Sequence, residues 1–462
     1  MMLDSTIAKE VIDYALLRGA DFAEIFVDRQ TFESISIKSS NVENIENGIN
    51  FGIGIRLFYG TKVLYGYTNS TNKEELLDIV SSLSAKDLRD PLVTATNFNF
   101  EKPIQNHFVQ TGLKNNISLD QKIPLLLEID RLTRGTTDKI TQVPIGTSQR
   151  FQEVEIFNSE GLHVTDERNY VRLRASCIAS DGTIQDSAGY SPGAMLGWEF
   201  IQGQDPKYIS EKLAKEVLTK LKAKPCPAGK MPVVIDNGFG GVIFHEACGH
   251  LLETTSVAKK ASVFWDKMDQ MIASSVVSAV DDGTNQNYWG SINIDDEGMK
   301  TQKTQLIKDG KLTSFMVDKM GSMKTGFERT GSGRRENYKY APTSRMRNTY
   351  IEAGKDKFED MIASIDHGIY CAQMGGGSVS PGTGEFNFSV IEGYEIKNGK
   401  IGDPVKGATL IGTGPDALKQ ISMVSDNLDF AAGVCGSISG GVNTTVGQPA
   451  LKVDEILVGG GK

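Results

Sequence analysis

Residues 224–229 read Lys-Pro-Cys-Pro-Ala-Gly, a stretch whose two prolines and glycine interrupt both helix and strand. Before it, helical periodicity alternates with strand-like segments. After it, glycine is dense, and short strands separated by Gly, Asn and Asp dominate. We therefore predict an α+β fold, with a mixed α/β N-terminal domain over 1–225 and a β-rich C-terminal domain over 226–462. One prominent helix is expected in the second domain.

The N-terminal half repeats an order of helix, strands and helix. Helices are predicted over 4–18, 72–84, 119–133 and 206–222, and strands over 22–29, 32–38, 51–67, 151–157 and 170–180. This order predicts two α-β-α units, with subunits 1–105 and 106–225. In the last strand, apolar residues alternate with Arg172, Arg174 and Ser176, and Cys177 falls on the apolar side. Cys177 is therefore expected in the core.

Composition narrows the class of protein. A chain of 462 residues is too long for one ordinary core. Its net charge of -9 argues against a nucleic-acid partner, and no apolar run approaches the roughly 20 residues of a membrane span. Residues 1–19 form a charged amphipathic pattern instead of a signal peptide, and five scattered cysteines do not suit a disulfide framework. We expect a cytoplasmic protein with no membrane partner.

One motif carries chemistry, namely His245-Glu246-Ala247-Cys248-Gly249-His250. It contains two of the five histidines and follows the predicted strand Val233-Val234-Ile235, on a helix expected to reach about Glu253. Neutral imidazole is a preferred zinc ligand. A glutamate beside a ligating histidine is placed to take a proton from water, so Glu246 is the candidate general base.

The spacing of the two histidines predicts a distorted helix. Residues five apart point about 140° away from each other on a regular α-helix. His245 and His250 could not then bind one ion, so we predict a π-type turn, or an equivalent irregularity, between them. Gly249 would lower the local cost of such a turn.

A metal site needs further ligands. Three protein ligands and a water are typical of a catalytic zinc, and four protein ligands are typical of a structural one. Spacing alone leaves five candidates open: Cys248, Glu253, Asp281, Cys371 and Cys435. Cys435 lies between glycines in 433–436, a segment expected to be a flexible loop that approaches a metal closely.

Other residues are candidates for substrate binding. Arg334, Arg335, Tyr338 and His367 could donate to an anionic intermediate, although a solvated turn or an ion pair with Glu336 would equally explain the arginines. The glycines Gly375 and Gly376 could line a groove that takes a peptide as an added strand. A tight loop is the alternative for them.

The motifs resemble those of one family. They are His-Glu-Ala-Cys-Gly-His-Leu-Leu-Glu at 245–253, Val-Asp-Asp-Gly-Thr at 280–284, Gly-Ser-Gly-Arg-Arg-Glu-Asn-Tyr at 331–338, Arg-Met-Arg-Asn-Thr-Tyr at 345–350, Pro-Val-Lys-Gly-Ala-Thr-Leu at 404–410 and Gly-Val-Cys-Gly at 433–436. The sequence resembles the TldD/PmbA family, also called modulator of DNA gyrase proteins, and most closely its catalytic TldD-type branch. The resemblance is dense from about 232 to 462 and looser before that.

The resemblance implies a function. It makes His245, His250 and Cys435 the zinc ligands and Glu246 the catalytic base of a peptidase of the His-Glu-x-x-x-His type. Members hydrolyse unfolded or short peptides in the cytoplasm, as homodimers or as heterodimers with a paralogous subunit. The alternative is a non-catalytic, zinc-stabilised adaptor or modulator that acts through a partner subunit. A hydrolase of other amide conjugates also stays open.

Overall fold

A computed structural model describes residues 1–87, 89–91, 94, 97–103, 117–380 and 382–460. The predicted boundary between subunits at 105/106 lies outside these residues. No helix in the described part of the chain is long and apolar enough to cross a membrane.

The described residues of the first unit of the N-terminal half form two helices and four strands. They are α1 (Ser5–Leu17), β1 (Phe22–Lys38), β2 (Asn41–Tyr59), β3 (Lys62–Thr68), α2 (Lys73–Ser84) and β4 (Asn99–Glu101). Helix α1 begins after Asp4, whose carboxylate accepts hydrogen bonds from the backbone N–H groups of Thr6 and Ile7. The two strands expected at 22–29 and 32–38 form the single strand β1.

The second unit continues the pattern. It contains α3 (Leu119–Gly135), β5 (Ile140–Gln142), β6 (Ile145–Asn158), β7 (Leu162–Ser180), β8 (Gln185–Tyr190), β9 (Gly193–Ala194), α4 (Glu199–Gln202) and α5 (Pro206–Lys222). Helix α5 has the predicted bounds because Asp205 caps its start, with Pro206 as the first helical residue. Cys177 is fully buried on β7, as its alternation predicted.

One sheet unites the two units. Its main order is β3-β2-β1-β6-β7-β4, and β5, β8 and β9 also pair with β7. The long strands β1 and β6 pair antiparallel from Glu24↔Asn158 to Ile37↔Ile145. Because this seam joins the units along their length, the N-terminal half has a continuous sheet with helices packed against it.

The C-terminal half is dominated by short strands. It contains β10 (Lys224–Pro225), β11 (Gly229–Ile235), α6 (Val242–Ala247), α7 (Thr254–Val257), β12 (Ala279–Asp282), β13 (Lys303–Lys308), β14 (Lys311–Leu312), α8 (Lys319–Thr325), β15 (Gly333–Arg334), β16 (Thr343–Ser344), β17 (Asn348–Ile351), α9 (Phe358–Ala363), β18 (His367–Val379), β19 (Glu385–Lys397), β20 (Lys400–Lys406), β21 (Thr409–Thr413), α10 (Gly414–Gln420), β22 (Ile421–Val424), β23 (Asp429–Ser437), β24 (Gly440–Gln448) and β25 (Leu451–Gly459). The predicted α+β fold class is confirmed. Of the α-helices in the described part of this half, only α6 carries residues of the histidine motif.

Two sheets position the motif. The first has the order β10-β20-β19-β18-β11-β25-β21, and the further pairing of β19 with β21 closes a ring. The second has the order β14-β13-β12-β17-β24-β23. Helix α6 follows β11, and the glycine-rich turn before it packs against β24. A Cβ on Gly241 would lie 2.6 Å from the Gly447 carbonyl oxygen, so glycine permits this contact.

Buried ion pairs join the two halves of the chain. Arg335 Nη2 lies 2.6 Å from Glu24 Oε1 on β1, and Arg56 on β2 bridges Glu24 and Glu297. Arg168 on β7 likewise pairs with Asp296 at 2.7 Å. Charges removed from water cost several kcal/mol each unless they are paired. This pairing therefore favours one arrangement of the halves over others.

Candidate metal centre

The histidine motif lies on a helix that breaks. Helix α6 ends at Ala247, Cys248 leaves helical geometry with φ −131° and ψ −46°, and Gly249–Leu252 form a 3-10 turn. The predicted irregularity is therefore present, as a break with a 3-10 turn instead of a π-type turn. The α-helix predicted to continue to about Glu253 is wrong, since it ends at Ala247. The break brings the His245 and His250 rings to a centroid distance of 5.2 Å.

Gly249 fits at this break because it has no side chain. A Cβ at this position would lie 2.2 Å from Met346 Sδ, which is far inside any normal contact. Met346 is fully buried. The glycine therefore lets the main chain pack directly on a core side chain, a reason that the motif by itself did not reveal.

Cys435 completes a group of three donors. The ligand atoms of His245, His250 and Cys435 all lie within 4.8 Å of one another, and Cys435 Sγ is 3.3 Å from His250 Nε2. Tetrahedral zinc with these ligands requires donor separations of about 3.3–3.6 Å. Cys435 lies on β23, the last strand of its sheet, and not in the flexible loop that was expected.

The electrostatics of the group favour a cation. Burial would raise the pKa of the Cys435 thiol, but His245 and His250 outweigh burial and hold the pKa at about 3. Burial likewise opposes protonation of His250, yet Glu253 and Cys435 raise its pKa well above the usual value. The buried Nδ1 of His245 has no hydrogen-bond partner within the described residues. A thiolate beside two imidazoles fits a thiophilic divalent metal.

The other candidates for the third ligand have different roles. Cys248 and Cys371 are buried, and burial raises the pKa of each thiol. Asp281 pairs with Arg347, with 2.7 Å between Oδ2 and Nε. Glu253 lies behind His250, with its Oε2 3.1 Å from the ring Nδ1. Glu253 therefore orients the imidazole whose Nε2 faces Cys435.

Glu246 is the accessible member of the motif. Its side chain is 30% exposed, whereas His245 and Cys435 are each 3% exposed. Glu246 Oε2 lies 3.7 Å from His250 Nε2, so the carboxylate is beside the donor group and open to solvent. A carboxylate in this position can exchange a proton with a water next to the donors.

The predicted substrate-binding arginines are buried elsewhere. Arg334 donates through Nη1 to the Met346 carbonyl at 2.6 Å, and Arg335 pairs with Glu24. Both are almost inaccessible, so neither guanidinium can reach a substrate in this conformation, and neither is in a solvated turn or paired with Glu336. Long-range ion pairs and carbonyl contacts occupy their donors, and a role for them in substrate binding stays a prediction.

Tyr338, Gly375 and Gly376 have clearer surroundings. Tyr338 is half-buried and contacts the Tyr67 ring edge-on at a centroid distance of 6.0 Å. Gly375 and Gly376 belong to strand β18, so the tight-loop alternative for them is wrong. Pairing of β18 with β19 shifts register at these glycines, and the Gly376 carbonyl accepts from Ser389 Oγ at 3.0 Å. A role for these three residues in substrate binding stays a prediction.

Arg345 supports the strand that carries Cys435, a contact that the sequence did not predict. Its guanidinium is fully buried and donates to the Cys435 carbonyl, to Ser439 Oγ at 2.9 Å and to the Gly440 carbonyl at 2.8 Å. These bonds hold the end of β23 and the turn that follows it. The only signal in the sequence was its place in the Arg-Met-Arg stretch at 345–347.

Replacing Glu253 with glutamine should weaken metal binding. The carboxylate that fixes the tautomer and angle of His250 becomes an amide, and changes to such supporting groups typically cost about 10- to 100-fold in metal affinity. Competition with a chromophoric chelator measures this loss. Glu155→Gln is the matched control, because it alters another buried Glu–His pair, with Glu155 Oε1 2.8 Å from His163 Nε2. An unchanged affinity in Glu253→Gln would remove Glu253 from the site.

Domains of one metallopeptidase family match the chain over most of its length. The PmbA/TldA metallopeptidase C-terminal domain matches residues 228–460, the central domain matches 113–223, and domain 1 matches 23–86. The chain belongs to the PmbA/TldD metallopeptidase family, as its motifs predicted.

Similar proteins agree with this assignment. A metalloprotease TldD homolog of Haemophilus influenzae is 37% identical over 97% of this chain and 95% of its own length. A zinc metalloprotease TldD homolog of Saccharolobus solfataricus is 25% identical over 96% and 97% of the two chains. These relatives support a peptidase, and the donor group supports a metal cofactor.

Solved structures share the fold. A protein of Thermotoga maritima described as a modulator of a DNA gyrase has a TM-score of 0.79 and 19% identity, covering 98% of this chain and all of that one. TldE from Thermococcus kodakarensis has a TM-score of 0.77 and 19% identity, covering 98% and 99% of the two chains. At this identity the likeness concerns the fold alone.

Proposed function

We propose that the protein is a zinc-dependent peptidase of the His-Glu-x-x-x-His type that hydrolyses unfolded or short peptides. The proposal rests on one observation above all: three soft and borderline donors converge within 4.8 Å while Glu246 remains accessible beside them. His245, His250 and Cys435 would hold the ion. When bound, zinc would supply Lewis-acid chemistry that polarises the scissile carbonyl and acidifies a water.

Glu246 performs the proton transfers in this proposal. Its carboxylate accepts a proton from the attacking water and later delivers that proton to the leaving amine. Glu253 keeps the His250 ring oriented, and Arg345 holds the strand that carries Cys435. The peptide lies along the open side of the group, where Glu246 faces solvent.

The non-catalytic adaptor is less well supported. A structural zinc usually has four protein ligands, and the donor group found in the described residues has three. A nucleic-acid modulator would need a basic surface, which the net charge of -9 does not favour. Pairing with a second copy or a paralogous subunit and a cytoplasmic location belong to the same proposal, from the family resemblance.

Removing the metal should abolish hydrolysis and returning zinc should restore it. Chelation followed by dialysis should leave less than about a tenth of the activity on an unfolded, fluorescently quenched protein, because catalysis needs the ion. One equivalent of zinc should restore most of it. A folded protein substrate is the control and should resist cleavage throughout. Activity that persists in the chelated, metal-free protein would contradict the proposed function.

A further inference from the structure

A large cavity lies between the N-terminal sheet and strand β23. Its volume is about 1210 Å³, more than the roughly 300–1,000 Å³ of a site for a small molecule. Aromatic side chains, including Tyr190, Trp289 and Phe430, form much of its wall. The cavity is therefore large enough for a segment of peptide and is lined for apolar contact.

Two cations project into this cavity from β7. Arg172 and Arg174 alternate with the buried residues of the strand, so they share its other face and both line the cavity. Arg172 donates through Nε to Ser191 Oγ at 2.9 Å, and its guanidinium lies 5.5 Å from the centre of the Trp289 ring. These contacts fix the guanidinium of Arg172 against the wall.

Neither arginine has an acidic partner in the part of the chain that the structure describes. Within the described ranges, no carboxylate lies at ion-pair distance from Arg172 or Arg174, and Arg174 makes no side-chain hydrogen bond. Two carboxylates also line the cavity. Glu43 pairs with Lys38 instead, with 3.6 Å between Oε1 and Nζ. Asp429 lies three residues before Ala432, the residue of β23 that Arg172 contacts. Burial, together with the neighbouring Arg174, lowers the pKa of Arg172 to about 10. An anionic ligand would relieve this repulsion.

Arg172 connects the cavity with β23, the strand that carries Cys435. Its Nη2 donates to the Ala432 carbonyl on β23 at 3.1 Å, and Trp289 Nε1 donates to the next carbonyl, that of Gly433, at 2.8 Å. Cys435 follows three residues after Ala432 on the same strand. Three residues of extended chain span about 10 Å. A peptide lying along β23 would cover the same distance with three residues.

We propose that Arg172 and Arg174 bind a carboxylate of the peptide substrate, about three residues from the bond that is cleaved. The inference rests on the proposed function, which it deepens by naming a substrate class: peptides with a carboxylate at that distance. The carboxylate is either the C-terminus of the peptide or an Asp or Glu side chain. The two arginines then select peptides by charge. The aromatic wall of the cavity tolerates different side chains next to the peptide carboxylate.

Binding of matched peptides tests the proposal without requiring cleavage. The probes are fluorescein-labelled heptapeptides with neutral side chains that end in a free carboxylate or in a carboxamide, measured by anisotropy on Glu246→Gln protein. A third series keeps the carboxamide and moves one glutamate along the peptide. We expect the carboxylate, or one glutamate position, to bind about tenfold more tightly than the neutral peptide at low salt. The series that shows the gain identifies the source of the carboxylate.

Substitution of the arginines should remove this gain. In Arg172→Gln and Arg174→Gln the preference should fall to about twofold or less, whereas Arg172→Lys should keep part of it by keeping the charge. Arg131→Gln, which removes an exposed arginine of α3 that pairs with Glu128, should leave the preference unchanged. The proposal would be overturned if all probes bind equally to the Glu246→Gln protein. It would also be overturned if the preference for the carboxylate peptide persists in both Arg172→Gln and Arg174→Gln.

Hydrolysis by the wild-type protein separates the two hypotheses. Cleavage of the neutral and charged peptides at equal efficiency would count against the arginine site and leave the peptidase standing. Tight binding of the charged peptide with no cleavage by zinc-loaded protein would count against the peptidase and support the site.

Discussion

We expect that replacing Glu246 with glutamine will lower peptide hydrolysis by about 10³-fold, within the roughly 10²- to 10⁴-fold range of general acid–base catalysis. The amide has the size of the carboxylate but cannot accept the proton of the attacking water. Metal content should stay at the wild-type value, because the three converging donors are the side chains of His245, His250 and Cys435. Initial rates on a quenched unfolded substrate, together with metal analysis of the same preparation, measure both effects.

The control for this variant changes a glutamate of the same domain. Glu455→Gln removes a carboxylate that is 55% exposed and pairs with Lys230 on the surface, and it should leave the rate unchanged. Wild-type activity in Glu246→Gln would contradict the assignment of the base. Loss of the metal in that variant would instead make Glu246 a ligand.

We expect that replacing Cys435 with serine will remove the metal and the activity together. The thiolate, whose pKa of about 3 keeps it ionised at neutral pH, is replaced by a hydroxyl that is protonated and binds zinc poorly. Loss of a direct ligand should cost more than the roughly 100-fold that changes to supporting groups reach. Metal stoichiometry after gel filtration, and affinity by chelator competition, measure the loss.

Cys226→Ser is the matched control for this substitution. Cys226 is a buried thiol of the same domain that contacts the Pro227 carbonyl and lies outside the donor group. It should keep its metal and its activity. A full complement of zinc in Cys435→Ser, with unchanged affinity, would exclude Cys435 as a ligand and reopen the choice of the third donor.

Features of the site that depend on neighbours in sequence were predictable. The two histidines and Glu246 lie within six residues, so their chemistry and the need for a distorted helix follow from the spacing alone. The form of the distortion did not follow, because the break at Cys248 also depends on Met346, whose sulfur leaves no room for a Cβ at Gly249.

Features that depend on contacts between residues far apart in the sequence were not predictable in detail. Spacing left five candidates for the third ligand, and the family resemblance alone favoured Cys435 before the structure placed it on β23. Arg335 was a candidate donor to a substrate on the sequence alone. In the structure, Glu24, which is 311 residues away, holds it in a buried ion pair. Sequence patterns record the periodicity of an element, whereas such contacts depend on how sheets pack.

The sequence by itself determined the α+β class, most of the helices and parts of the long strands of the first half, the start of the helix that carries the histidine motif and, through its motifs, the family. Local propensity, capping and alternation determine the secondary structure, since each acts between residues that are close in sequence. Only the tertiary structure decided which thiol faces the histidines and which carboxylate orients His250. It also decided that Arg172 and Arg174 face a cavity with no acidic partner among the described residues. Those arrangements arise from three-dimensional packing, which brings together residues that no local pattern connects.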